Sequence, residues 1–381
     1  MKRESDKNIF ILAKSIFKKY SLCADCLGRQ FPYFRPHLSS RQKGRELLQS
    51  ISKNVRAPSE CYLCEGLMFS VEARSREIAE TLRSFEFDSL LVGSKFPAKS
   101  VDREDHVRSE FKLRGGKTLK AEFTRELGRN AATLLGKRLT YSSPDVVAIF
   151  DPLKNSLRVI PKSLYIFGRY VKKVRGLPQK QTFSEGASVE SILATRLLKH
   201  FGGRSVRFSW IGGEDDDSLV LGQGRPFYAE LFEPTKRSLG SISKLAPEED
   251  QVALQEIRIV KGKPPAKAKF KVTVLADVEF ESSITEDQLN SLQPRFKNAI
   301  LTALSTRKGK FAEKKVYDLE IREAQGKEAK LMIRCDGGLN IKKFISGSDH
   351  EISPSISEVL GMGAHCKQFD VLAVELLDKT Y

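Results

Sequence analysis

Two short segments with one spelling constrain this chain more than anything else in it: Cys23-Ala-Asp-Cys26-Leu-Gly28 and Cys61-Tyr-Leu-Cys64-Glu-Gly66. Each reads C-x-x-C-x-G. The two-residue gap lets both thiolates of one turn reach the same ion, and the glycine permits the positive φ that turns backbone N–H groups toward sulfur. Four thiolates with no open position describe a structural, tetrahedral zinc site rather than a catalytic one. A redox C-x-x-C is the weaker alternative, since redox motifs rarely come in duplicate with the same trailing glycine. Cys335 and Cys366 have no partner spacing and are expected to be small buried hydrophobes. His37, His106, His200, His350 and His365 show no ligand or triad spacing.

The N-terminus, MKRESDKNIF, places charges on both sides of a short apolar run and has no small-residue cleavage site. No signal peptide is expected, and no window approaches 18 consecutive apolar residues. With six cysteines, this points to a reducing setting, cytoplasmic or, in a eukaryote, also nuclear, without a membrane partner. Among 381 residues, Lys and Arg outnumber Asp and Glu by 65 to 48. Residues 1–160 hold 30 basic and 19 acidic side chains (+11), the rest 35 and 29 (+6). Such an excess favours a polyanionic partner, and nucleic acid is the usual one. The basic residues also cluster. FKLRGGKTLK (111–120) has four and no acid, residues 161–180 have six and none, and KGKPPAKAKFK (261–271) has five lysines around Pro-Pro. Segments of this kind suit phosphate contacts.

Periodicity predicts helices around the first cysteine pair, then an α/β stretch in which VEARSREIAETLRSF is helical and SLLVG and DVVAIF are strands. A break in character falls near 165–185. Beyond it, Ser188 reads as the N-cap of a helix whose Val189, Ile192, Leu193, Leu197 and Phe201 share a face before Gly202-Gly203. VRFSWIG and FKVTVLADVEF alternate as strands, residues 286–304 read as one helix, and VYDLEI and KLMIRC as further strands. The fold class is α+β with a mixed or antiparallel sheet. Neither G-x-G-x-x-G nor G-x-x-x-x-G-K-[ST] occurs in the right context, so a nucleotide cofactor is not expected.

One loop stands apart. Gly212-Gly213-Glu214-Asp215-Asp216-Asp217 sets four consecutive carboxylates after a strand, in a chain that is otherwise basic. Four acids together must be solvated, metal-bound or held by cations. From the residues alone a magnesium site and a solvated acidic turn stay equally open.

The stretch from 212 to 227 resembles the signature of pseudouridine synthases. It most resembles the archaeal and eukaryotic tRNA pseudouridine synthases acting on positions 54 and 55 of the T-arm. The matching residues are Gly212, Glu214, Asp215, Asp217, Leu221, Gly222 and the run Gly224-Arg225-Pro226-Phe227. Similar in order are Cys23, Cys26 and Leu27-Gly28-Arg29-Gln30-Phe31, then Pro144-Asp145, Tyr165-Ile166-Phe167-Gly168-Arg169-Tyr170 and Leu177-Pro178-Gln179. At the C-terminal end come Gly338, Ile341-Lys342, Phe344, Gly347, Pro354-Ser355-Ile356 and Asp370-Val371. The family pattern is broken at Gly213 and Leu219, which stand for arginines, and at Leu339-Asn340, which stand for Thr-Tyr.

The resemblance implies three parts: a helical zinc-binding segment (1–66), a THUMP-like α/β RNA-binding module (67–165) and a pseudouridine synthase catalytic domain (166–381). It implies a mixed, mainly antiparallel sheet in the catalytic domain, and an isomerase of T-arm uridines that needs structural zinc but no redox or nucleotide cofactor, with tRNA as partner and a monomeric state. Asp215 would be the acting carboxylate, Lys342 its buried cationic partner, and Phe270, where the family has tyrosine, the stacking platform. Arg169, Lys172, Lys173 and Arg175, with Arg225, are the expected substrate-binding residues. The alternative is a zinc-containing tRNA-binding protein whose catalytic loop has degenerated.

Overall fold

The computed structural model describes residues 2–51, 60–96, 98–181, 186–240, 242, 251–265, 268–305, 310–348 and 351–377. His350, residues 266–267 of the lysine-rich 261–271 run and residues 52–59 lie outside the described residues. The chain divides into two compact units, Met1–Lys162 and Ser163–Tyr381.

The first unit opens with helices α1 (Lys2–Lys19), α2 (Ala24–Gly28) and α3 (Ser40–Ile51). Helices α4 (Val71–Leu82), α5 (Ala98–Glu110) and α6 (Leu119–Leu135) then cover a four-stranded sheet. Its strands are β1 (Ser89–Ser94), β2 (Arg138–Leu139), β3 (Val146–Asp151) and β4 (Ser156–Pro161), in the order β2-β1-β3-β4. β1 runs parallel to both neighbours, as strands separated by crossover helices can, and β3 and β4 form an antiparallel hairpin. β3 alternates buried and half-buried residues, so one face of the sheet meets the helices. One apolar core runs from Ala13 and Ile16 through Leu47, Ile78 and Phe123 to Phe150. It therefore joins the cysteine-bearing helices to the α/β sheet. Buried Arg29 adds a polar tie, pairing with Glu104 of α5 and donating to the Lys117 carbonyl at 2.9 Å.

The two knuckle glycines, expected to do the same job, do different ones. Gly66 has φ +87, as anticipated. Gly28 is helical, and its requirement is space: a Cβ there would sit 1.9 Å from the Ser40 carbonyl oxygen. On the facing helix, a Cβ on Gly44 would come equally close to the Ala24 carbonyl. Helices α2 and α3 thus touch backbone to backbone.

The second unit is built on a ten-stranded sheet. Its strands are β5 (Leu164–Lys172), β6 (Ser205–Trp210), β7 (Val220–Phe232), β8 (Val252–Val260), β9 (Phe270–Phe280), β10 (Ala299–Ser305), β11 (Lys310–Gln325), β12 (Glu328–Asp336), β13 (Ile352–Ser353) and β14 (Ala364–Leu376). The order is β13-β10-β11-β12-β9-β14-β7-β5-β8, with β6 paired to β7. Every pairing is antiparallel except the central one of β14 with β7, which meets at Val371 and Val220. Helices α7 (Val189–Phe201), α8 (Glu286–Phe296), α9 (Ile341–Ser346) and α10 (Ile356–Leu360) contribute to the core. α7 starts at Ser188, whose hydroxyl accepts from the Ser191 N–H, and ends on Gly202 at φ 64. That local capping is why the sequence located it closely.

The single helix expected over 286–304 is a correction. The helix stops at Phe296, Asn298 takes a left-handed φ of 58, and residues 299–305 form a strand paired with β11. Leu301 is buried while Ile300 is exposed, the alternation of a strand.

Candidate active site

The carboxylate loop follows directly on β6, which ends at Trp210, and leads into β7 beside the one parallel joint of the sheet. Its four acids do not act together. Glu214 turns inward, with its side chain 0% exposed. Its Oε1 accepts a 2.6 Å hydrogen bond from the Tyr170 hydroxyl, and Gln179 Nε2 donates to Oε2 at 3.3 Å. Arg225 of β7 lies beside it, Nε 2.7 Å from Oε2. The Nε–H is not aligned on that oxygen, so charge rather than an aligned hydrogen bond holds the pair. The same guanidinium donates to the Ile211 carbonyl at 3.0 Å. Burial, and then the charge of Glu214, push the Tyr170 phenol well above its ordinary range, so it remains a donor.

A second buried cation holds the loop's backbone. Lys172 is 0% exposed, and its ammonium donates to the carbonyls of Leu177 (2.9 Å), Asp215 (3.1 Å) and Asp216 (2.9 Å). Three acceptors match the three protons of an ammonium. Burial lowers its pKa. At the far end, Asp370 of β14 accepts from the Leu219 N–H at 2.9 Å and from both terminal nitrogens of Arg175, at 2.7 and 2.8 Å. Between these anchors the turn closes through a Ser218 N–H to Asp215 carbonyl bond of 3.0 Å.

Asp215 is what this scaffold presents outward. Its Oδ2 lies 2.7 Å from Lys342 Nζ of α9, and the two side chains are 47% and 46% exposed. The hydrogen bond to Asp215 raises the Lys342 pKa, so the ammonium stays charged. The pair was expected to be buried. It instead stands at the wall of a cavity of about 600 Å³, open to an incoming group. Phe270, at the head of β9, lines the same cavity, with Leu339, Phe369 and Val371 as apolar wall. Its ring is wedged between two glycines: a Cβ at Gly212 would approach it to 2.8 Å, and one at Gly337 to 2.4 Å.

The expected phosphate-binding residues divide. Arg169 is buried, donates to the Gly224 and Val374 carbonyls at 2.9 and 3.1 Å, and pairs with Glu256. Lys172 and Arg225 are likewise spent inside, although Arg225 forms part of the cavity's floor. The correction has a physical cause. β5 is buried along almost its whole length, so its basic residues find carbonyls and carboxylates of the protein instead of solvent. Lys173 and Arg175 are exposed, and Arg175 is tied to Asp370. What the residue pattern missed is the Tyr170–Gln179–Glu214–Arg225 cluster, although Tyr170 and Gln179 lie within the junction motifs that carried the resemblance. The magnesium alternative receives no geometric support. Among the described residues, only the cysteines bring three or more potential ligand atoms together.

Those four cysteines, Cys23, Cys26, Cys61 and Cys64, are buried, unbridged, and have sulfurs within 4.8 Å of one another. Cys23 and Cys64 sulfurs are 3.8 Å apart, the edge length of a tetrahedron with metal–sulfur bonds of about 2.3 Å. The Cys23 N–H donates to Cys61 Sγ at 3.4 Å, the kind of backbone bond that steadies a thiolate. This donor set fits one metal ion. Cys335 and Cys366 are buried singly, and burial pushes both thiols up to about 12.

Removing the buried cation tests how far the loop depends on it. Arg225→Met should cost about 3–5 kcal/mol of stability, because Glu214 would be left as an uncompensated buried charge. The midpoint of denaturant unfolding measures it, and a loss below 1 kcal/mol would show that the pair does not support the loop.

Residues 165–375 match the family model described as "Pus10, C-terminal", and residues 75–151 match "Pus10 THUMP domain, archaeal". The chain is 31% identical to the tRNA pseudouridine synthase Pus10 of Nitrosopumilus maritimus (strain SCM1), over 97% of this chain and 99% of that one. It is also 31% identical to the tRNA pseudouridine synthase Pus10 of Pyrococcus furiosus, over 95% and 97%. Among solved structures, a Cbf5-Nop10-Gar1 complex is similar at 15% identity and a TM-score of 0.34, covering 56% of this chain and 50% of that one. That likeness is too slight to carry weight.

Proposed function

The chain belongs to the Pus10 family of tRNA pseudouridine synthases, and from that membership we propose that it isomerises uridine to pseudouridine in the T-arm of tRNA, at position 54, 55 or both, with Asp215 as the acting carboxylate. The reaction breaks the bond from uracil N1 to ribose C1′, turns the base, and joins C5 to C1′. A proton leaves C5 and one is gained at N1, so atoms and electrons balance without an oxidant, reductant or nucleotide. The protein must supply one ionised carboxylate at the ribose, as nucleophile on C1′ or base at C2′. It must also supply a place for the base outside its stack.

The observation that carries the reading is the Asp215–Lys342 pair, held at 2.7 Å on the wall of a cavity that also contains an aromatic ring. In this reading Lys342 pairs with and orients Asp215, Phe270 stacks on the flipped uracil, and Glu214, Arg225, Tyr170 and Lys172 fix the backbone that aims the carboxylate. What supports the catalytic reading is that the buried charges fix the backbone of the one loop acid that pairs with Lys342 at the cavity wall. The first unit, basic and carrying a structural zinc ion on Cys23, Cys26, Cys61 and Cys64, holds the tRNA. Zinc there would fasten the two knuckles to each other and take no part in the chemistry.

Pseudouridine mapping on an unmodified tRNA transcript tests the substrate assignment. Conversion confined to the T-arm is expected. Conversion elsewhere in the tRNA would overturn the T-arm assignment while keeping the activity.

A further inference from the structure

In the first unit, Tyr33 projects into solvent with 83% of its surface exposed, the highest of the exposed large apolar side chains described there, with Tyr141 next at 78%. It lies in the segment joining α2 to α3, and one edge of its ring rests on Gly115, whose Cβ would come 3.3 Å from the phenol oxygen. Gly115 adopts φ +74, which lets the 111–116 turn pass this close. Beside the ring is a cavity of about 240 Å³ whose floor is apolar (Ile9, Leu12, Phe31) and whose rim carries Lys112 and Arg114. Both cations are exposed, and among the described residues neither forms an ion pair. Several other cations of the unit, Arg29, Arg41, Arg74, Arg103 and Arg125, are by contrast paired with carboxylates.

An open aromatic ring, an apolar slot and two uncommitted cations are the elements with which proteins hold single-stranded nucleic acid. The base stacks on the ring and the cations take the flanking phosphates. A duplex cannot offer a free base face to such a site. We propose that Tyr33, Lys112 and Arg114 form a binding site for an unpaired nucleotide of the RNA substrate, separate from the cavity at Asp215. The proposal deepens the tRNA reading given above and rests on it. The charge at the rim favours RNA over a second copy of this basic chain.

The test uses the full chain and a single-stranded RNA decamer carrying one 2-aminopurine, with a blunt RNA duplex of the same sequence as control. Stacking on Tyr33 should quench the fluorophore when wild-type protein binds the single strand. Tyr33→Ala should abolish the quench and weaken that binding about tenfold, while Tyr33→Phe retains both. Duplex binding should be the same for all three. A Lys112→Gln, Arg114→Gln double variant should keep the quench at saturation but reduce the salt dependence of binding. Equal single-strand affinity for wild type and Tyr33→Ala overturns the proposal, as does an equal loss on duplex. Self-association of the wild type that Tyr33→Ala removes, without an effect on RNA, also overturns it and makes the patch a protein interface. Pseudouridine formation by wild type on intact tRNA judges the underlying reading separately. If it occurs while the decamer arm fails, the nucleotide site alone is lost.

Discussion

Cys26→Ser is expected to release the metal and unfold much of the first unit. Purified wild-type protein should contain close to one equivalent of zinc per chain by elemental analysis, and the variant markedly less. The cysteine sulfurs are buried in the same core as Leu22, Leu27, Leu63 and Met68, so the cysteine cluster and the apolar core form one body. Without the ion, up to four thiols would be left in a space shaped for a charged centre. Structural zinc contributes roughly 10–16 kcal/mol of apparent binding free energy in small zinc modules. That is comparable to the whole stability of an ordinary domain, about 5–15 kcal/mol, so the melting temperature should fall by about 10 °C or more. A strong chelator should mimic the substitution, and zinc should restore the chelated wild type but not Cys26→Ser. A wild-type protein that is free of metal and equally stable would remove the zinc assignment.

How much of this was legible in the residues depended on whether the deciding interactions were local. The helix from Val189 to Phe201 was readable because its cap, its apolar face and its terminal glycine all lie within a few residues of one another. The 286–304 segment was not. Leu289, Leu292, Phe296 and Ile300 keep helical spacing past the true helix end, and only pairing with β11 makes 299–305 a strand. The cysteine pairs announced a shared site, since the spacing within each pair is itself the constraint. The role of Gly28 was hidden, because the backbone it must accommodate belongs to α3.

The same division runs through the candidate site. The carboxylate loop and Lys342 could be picked out by motif, and the structure brings Asp215 and Lys342 together. Which of four adjacent acids would go inside was not legible, because Glu214 is captured by residues from β5, from the loop before α7 and from β7. Nor could charge reveal that Arg169 and Lys172 are consumed internally. In a sequence they look like any basic pair beside aromatic residues. Their burial follows from the central position of β5 between β7 and β8.

Asp215→Asn is expected to have the largest effect on activity. The substitution keeps the shape of the side chain and its ability to accept from Lys342, but removes the negative charge that either nucleophilic attack or proton abstraction requires. Loss of an acting carboxylate of this kind is expected to reduce turnover by at least ~10³-fold, since covalent or base catalysis is removed outright. Stability should hardly change, because Asp215 is half exposed and its pair with Lys342 is partly solvated. Binding of tRNA should also persist, because neither the exposed cations nor the first unit is altered.

The most direct measurement is therefore a single-turnover assay. Purified wild type and Asp215→Asn are each held in excess over an unmodified tRNA transcript, with pseudouridine mapped by position and tRNA affinity measured on the same samples. The account predicts T-arm pseudouridine with wild type, none with Asp215→Asn, and affinities within about threefold of each other. Equal conversion by both proteins would contradict the role of Asp215. Binding without conversion by either would contradict the enzyme and leave a zinc-bearing tRNA-binding protein.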